Sequence, residues 1–414
     1  MLNKQNLMIL VNKFIGQIKS LFSRFSNKKP KEIISQILNR IIFYKNIIKP
    51  FIQKLINQIK SCKFSTFIEQ IKSFKFKLLL ERFSKKKTIE IIPNGVLGIN
   101  INNNSIVIVH VVMNGLQDIA VKSRGIFALD SIDINLQREE QRSSIENIIV
   151  KYIHDNNLSL IIGSYVLSYQ QYVLSLIELP SAKDAAQKEK AILWSVKDSI
   201  NYSIDDAILE SFEVPVNRTQ DNAKLAYAVA MRAKLSEEIG KLLNKCGVNL
   251  KYIDINELCI RNIMALYPDM QQGCLVLKIS DSHSNILLIK NNALFISRST
   301  KLNIKQLDNF DPNKNDEPEK LNIAENLILE LQRSLDYGNS IFRDLHFSSI
   351  CILPYAFNLD LFIVWAKEQL GLPIFKIDLS QKIKFEQNIS QNEQAEYVLA
   401  IGAALRDIDS VSAN

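Results

Sequence analysis

The residues with reactive side chains are scattered through this chain rather than grouped. Two adjacent carboxylate pairs stand out, Asp205-Asp206 and Glu237-Glu238. Neighbouring residues on a helix or strand point apart, so neither pair makes a general acid/base couple by itself, and solvated faces or caps are the expectation. Five cysteines (Cys62, Cys246, Cys259, Cys274, Cys351) and four histidines (His110, His154, His283, His346) show no metal-ligand spacing. Free thiols without a CxxC pair suit a reducing compartment, so a cytoplasmic location is expected. No phosphate-binding P-loop, serine-nucleophile elbow or HExxH helix is present in the sequence.

Charge is the stronger signal. The net charge of +8 sums two unlike parts. Residues 1–88 hold 20 Lys and Arg against 3 Glu, and the rest holds 31 against 40 Asp and Glu, so +17 sits beside −9. Within the basic arm Gln-Ile-Lys-Ser recurs at 17–20, 58–61 and 70–73. Leu10, Phe14, Ile18 and Leu21 share one helical face, as do Phe67, Ile71, Phe74 and Leu78. Short amphipathic helices broken near Pro30 and Pro50 are expected. An apolar face edged by Lys19, Lys28, Lys29, Lys60, Lys72, Lys85, Lys86 and Lys87 suits an anionic membrane surface. A nucleic-acid site needs charge rather than a stripe of Phe and Ile, so none is expected. A helical hairpin packed on itself is the plainer alternative. No apolar run reaches the ~18 residues of a membrane span.

The elements after Thr88 follow an order that repeats. Leu97–Ile101, Ile106–Val112 and a strand from Asp118 read as a meander. A helix over 138–155 and a buried-type strand at Leu158–Ile162 follow. Strands at 172–179, 206–214 and 224–231 surround a helix at 182–199 that carries Trp194. Trp194 on that amphipathic helix reads as core before contact, yet it is the first candidate for a partner groove. A helix at 235–246, a strand at 250–254 and a helix at 256–267 complete the first half.

The second half restates the meander at 274–279, 285–290 and 293–297, with Asn291-Asn292 as the hairpin turn. An acidic loop at 308–319 leads into a helix over 323–342. Its stripe is Ile323, Leu327, Ile328, Leu331 and Leu335, and Arg333 and Asp336 form an expected surface pair. Elements at 350–353, 359–370, 374–377 and 392–405 finish the chain. A doubled meander, with no Gly-rich strand-helix turn, is not a Rossmann pattern. It predicts an α/β, actin-like (ribonuclease-H-like) two-lobed body with duplicated βββαβα units, preceded by the basic amphipathic helical arm. The expected division is 1–88 arm, 89–250 first lobe with an inserted α/β subdomain near 172–231, 251–407 second lobe and 408–414 tail.

Four stretches in order carry a family resemblance: Trp194–Asp198, Ile253–Glu257 with Arg261-Asn262, Glu330–Tyr337 and Ala400–Arg406. Over roughly 89–407 the chain resembles the MshI family of MSHA type IV pilus biogenesis proteins. More distantly it is similar to the PilM family of actin-like pilus components. The resemblance implies a cytoplasmic protein docked at the inner membrane that binds the cytoplasmic tail of a single-pass, MshJ- or PilN-like assembly protein. In PilM relatives it also implies ATP and Mg2+ in the cleft between lobes.

Set against that family, the phosphate loops here differ. The first reads Gly98-Ile-Asn100-Ile-Asn102-Asn103 where relatives carry Gly-Ile-Asp-Ile-Gly-Ser. Asn100 lacks the carboxylate a Mg2+ needs, and Asn102 puts a side chain where backbone should approach phosphate. The second loop aligns at Lys278-Ile-Ser280, and Pro354-Tyr355 stands where relatives carry Gly-Gly. The expectation is therefore a scaffold with no cofactor, peripheral on the inner membrane. The alternative is a PilM-type protein that binds and hydrolyses ATP.

Overall fold

The computed structural model describes residues 93–408, except 130, 181–183, 216–222, 271, 281–283, 315–316 and 343–345. The basic arm with its candidate lysines, and the tail beyond residue 408, lie outside the described residues.

The first meander is β1 (Val96–Ile101), β2 (Ser105–Met113) and β3 (Ile119–Ala128), followed by α1 (Glu139–Asp155) and β4 (Ile162–Val166). Then come β5 (Tyr172–Glu178), α2 (Ala185–Ser195), β6 (Ala207–Glu213), β7 (Leu225–Arg232), α3 (Ala233–Lys245), β8 (Asn249–Asp254) and α4 (Asn256–Met264). The second meander is β9 (Cys274–Lys278), β10 (Ser284–Lys290) and β11 (Ala293–Thr300). The chain continues through α5 (Pro318–Ile341), β12 (Ser349–Ile352), α6 (Asp360–Leu370), β13 (Ile374–Lys376), β14 (Lys384–Phe385) and α7 (Gln391–Ala404).

Three sheets result, ordered β14-β3-β2-β1-β4-β8, β11-β10-β9-β12-β13 and β5-β7-β6. Strand alternation sets the layers. Leu97, Ile99 and Ile101 of β1, with Ile106 and Ile108 of β2, pack against Ile145 and Ile149 of α1 and Ile239 and Leu242 of α3. Val107, Val109 and Val111 face the other way, into a core shared with α4, α7 and the second sheet. α5 lies on the far face of that second sheet, where the missing side chain of Gly338 leaves room for Leu288. Helices α4 and α7 thus form one layer between two sheets.

Two glycines let that layer close. A Cβ on Gly98 of β1 would stand 1.8 Å from the Ala400 carbonyl oxygen of α7. A Cβ on Gly402 of α7 would stand 2.2 Å from the Cys259 carbonyl oxygen of α4. Helix α7 therefore packs backbone to backbone with both neighbours, which only Gly permits.

Several expectations are revised. The strand placed at Leu158–Ile162 lies instead at Ile162–Val166. The apolar run before it is a turn, with Leu160 at φ 61° and its amide donating to the Gly247 carbonyl at 2.7 Å. Helix α5 begins at Pro318, inside the expected acidic loop; a first-turn Pro loses no helical hydrogen bond. Arg333 pairs with Glu330 at 3.1 Å rather than with Asp336, and Glu330 also reaches Arg298 at 3.4 Å.

The run 251–407 does not stay with the second sheet. β14 joins β3 in parallel, and α7 covers β1, β2 and β4. The return is fastened by Lys384–Asp118 and Lys122–Glu386 at 2.9 Å each, and by Arg124, which donates to the carbonyls of Gln387 and Asn388. The Asn291-Asn292 turn has φ of 49° and 57°, the left-handed pair that suits a two-residue hairpin.

Candidate functional site

The resemblance drawn from the sequence places the expected phosphate loop at the hairpin that follows β1. Asn100, at the end of β1, is in register with Val166 of β4, and Val166 with Asp254 of β8. These three side chains stand in a row on the inner face of the first sheet. Asn100 is buried. The turn beyond it is closed by its own side chain. Asn102 Oδ1 accepts the N–H groups of Asn104 at 2.9 Å and Ser105 at 2.8 Å, and its Nδ2 donates to Ser105 Oγ at 2.9 Å. The Asn102 N–H donates to the Ser105 carbonyl at 3.0 Å. Outside the turn, the carbonyls of Asn103 and Asn104 accept from Ile132 and Leu129. A phosphate cradle needs backbone N–H groups that point outward. Three of them here are already engaged, and Asn100 brings no carboxylate. The residues of this hairpin do not fit Mg2+ and a nucleoside triphosphate.

The other two expected positions meet each other. The Leu353 N–H donates to the Leu277 carbonyl at 3.0 Å, which sets the ends of β9 and β12 side by side. Lys278 Nζ donates to Ser280 Oγ at 2.5 Å. Across the hairpin, Asn285 is in register with Lys278, and its Nδ2 is buried with no hydrogen-bond partner among the described residues. Pro354 is buried, and Tyr355 packs its ring 5.5 Å from that of Phe357. Burial pushes the Tyr355 hydroxyl up to about 12. Tyr355 therefore belongs to the wall of the second lobe.

Two of the four family-like stretches converge. Arg406 donates to Asp254 Oδ1 at 2.9 Å, and Asn262 Nδ2 donates to the Gly402 carbonyl at 2.8 Å. Burial raises the Asp254 carboxyl, and the Arg406 charge works against that rise. Sequence reasoning quoted Glu257 without giving it a role. In the structure it is 1% exposed and accepts from Tyr172 Oη at 2.7 Å and Ser297 Oγ at 3.3 Å. Burial pushes its carboxyl up. A charged residue at the second position of a short helix, directly before the apolar run Leu258–Ile260, was the signal available.

The open surface lies elsewhere. Trp194 is not a core residue: it is 63% exposed, with Lys197 Nζ 4.7 Å above its ring. Ile192 of its helix and Val196 at the C-cap are buried and cover the alanines of β7. Trp194 walls a cavity of about 1000 Å3 with Leu193 and Tyr202. At Asn201 and Tyr202 that cavity continues into a second of about 300 Å3, lined by Gln137, Gln171, Tyr172 and Arg232. At Arg232 and Leu235 a third, of about 500 Å3, adjoins it. Together they form a groove between the β5-β7-β6 insert and the first lobe. Arg232 is fixed there, 4.8 Å from the Tyr202 ring and donating to Asn201 Oδ1 at 3.2 Å.

The carboxylate pairs lie by this groove without acting together. Asp205 and Asp206 line different cavities. Glu238 is paired with Arg142 at 2.6 Å and Lys241 at 3.2 Å, and Glu237 with Lys241 at 3.6 Å. A groove with an exposed aromatic and an oriented Arg can hold a peptide.

No protein-family model matches this sequence, and no curated protein matches it. Solved structures do. A PilM-PilN type IV pilus biogenesis complex is 18% identical, with a TM-score of 0.57 over 76% of this chain and 98% of that one. The chain has the actin-like fold. A Bacteroides thetaiotaomicron protein with an actin-like ATPase fold and unknown function is 8% identical, with a TM-score of 0.39 over 75% of this chain and 96% of that one. The cytoplasmic domain of EpsL, an inner membrane component of the Vibrio cholerae type II secretion system, is 11% identical, with a TM-score of 0.38 over 75% and 95%. Among the described residues of this actin-like body, no helix is long and apolar enough to cross a membrane.

Proposed function

We propose that this chain is a non-catalytic actin-like scaffold for type IV pilus biogenesis of the MSHA kind. In this reading it docks at the cytoplasmic face of the inner membrane. It binds the cytoplasmic tail of a single-pass, PilN- or MshJ-like assembly protein in the groove beside Trp194. The arm adds membrane attachment through its lysines. The observation that carries the reading is the placement of binding chemistry: the exposed aromatic and oriented Arg232 line an open groove, while the first hairpin spends its N–H groups on Asn102. The likeness to a PilM-PilN complex supports this choice of partner class.

Isothermal titration with a synthetic cytoplasmic tail of a PilN-like single-pass protein tests it. Saturable binding that Trp194→Ala weakens is the expected result. Binding by the intact chain that is indifferent to Trp194→Ala and Arg232→Ala removes the groove from the account.

A further inference from the structure

Tyr172 belongs to two places at once. It is among the residues that line the groove, and its hydroxyl ends on Glu257 Oε2 at 2.7 Å in the interior. Glu257 in turn accepts from Ser297 Oγ, on β11 of the second lobe, at 3.3 Å. The same Ser297 donates its N–H to Tyr227 Oη at 2.9 Å, and Tyr227 Oη donates to the Phe295 carbonyl at 3.3 Å. Two tyrosines of the insert therefore converge on one serine of an edge strand. The edge needs such a cover, because β11 has a paired neighbour on one side only.

The bridge does not stretch gradually. If Tyr172 moves with the groove wall, Glu257 Oε2 is left buried without that donor, which costs far more than lengthening an exposed bond. A packed interior has no spare room to absorb the shift. A bridge of this kind is either made or broken, so an occupant of the groove can act only by favouring one of the two.

We propose that Tyr172 couples the groove to the second lobe: an occupant that wedges the groove at Tyr172 releases the Tyr172–Glu257–Ser297 bridge and loosens the hold of the insert on β11. Glu257 is the positioning residue of this link. The inference rests on the groove being the binding site, but its test needs no partner, so the two readings fail separately.

A covalent wedge supplies the occupant. Gln137 is exposed and lines the groove. Gln137→Cys in the full chain is labelled with pyrene maleimide after Cys62→Ser, since the other four cysteines are buried. Amide hydrogen exchange at Ser297 is the readout, and exchange at Ile350–Ile352 reports that the fold is intact. The label should accelerate Ser297 by about tenfold, the scale of losing one ordinary hydrogen bond. Unlabelled Tyr172→Phe should do much the same, and the label should then add little, because the link is already cut. Ser297→Ala cuts the bridge at its far end and should likewise silence the response at Phe295 and Ile296. A label that leaves Ser297 unchanged, or that accelerates it equally with Tyr172 and with Phe at that position, overturns the proposal.

Discussion

Asn262 donates from its side-chain amide to the Gly402 carbonyl at 2.8 Å, joining the two helices that lie between the sheets. The bond forms because Gly402 lets α7 settle onto α4, with no side chain to hold Cys259 away. Gly402→Ala should cost about 1–3 kcal/mol, the usual range for forcing a methyl into a packed contact. The urea midpoint should fall with the slope unchanged. An unshifted midpoint would mean that the helices are not in contact there.

Trp194 is mostly exposed, so Trp194→Ala should leave the thermal midpoint within about a degree of the original, as surface changes do. Its effect on tail binding should be large, about 2 kcal/mol or more, the size of an aromatic anchor at an interface. Calorimetric titration beside a melting curve separates the two. A variant that melts early without binding more weakly would return Trp194 to a purely structural role.

The first hairpin should ignore Mg·ATP. Asn102→Ala removes the acceptor for two turn N–H groups and should lower stability by about 1 kcal/mol. Titration of the unaltered chain with a fluorescent ATP analogue should show no saturation in the micromolar range. Saturable binding with phosphate release would establish the ATPase alternative instead.

Glu257 supplies a pH signature. Burial raises its carboxyl above the ordinary 4.5, so the folded chain holds that proton more tightly than the unfolded chain. The associated stability is present below the unfolded value and is lost as pH rises through the folded one. Glu257→Gln cannot titrate. The melting-point advantage of the original over the variant should therefore shrink as pH rises above the ordinary carboxylate range. A constant difference over that rise contradicts the raised carboxyl.

Removing residues 1–88 should abolish co-sedimentation with phosphatidylserine vesicles, because each Lys near an anionic surface contributes about 1 kcal/mol. Added salt should weaken the full chain's binding in the same assay. Equal sedimentation of both forms would rule the arm out as a membrane contact.

What could be read from residue order was the local part of this fold. Both meanders are marked by short apolar runs between turn residues, and Asn291-Asn292 by residues that tolerate a left-handed backbone. Leu158–Ile161 misled because an apolar run looks alike in a strand and in a buried turn. β14 escaped notice because two residues carry no period at all. At the candidate site, Asn100 and Asn102 were legible from their types. Trp194 was harder: whether the third side of a short helix is covered depends on what packs there. Glu257 needed three distant elements, β5, α4 and β11, to meet around it.

The late return of β14 and α7 to the first sheet bears on synthesis. Val107, Val109 and Val111 leave the ribosome almost three hundred residues ahead of Ala400, which helps to cover them. Until then one greasy face of the nascent first lobe has no lid, a condition that invites chaperones or wrong partners. Translation pausing within the second meander should lengthen that exposure, and release of the finished chain should end it.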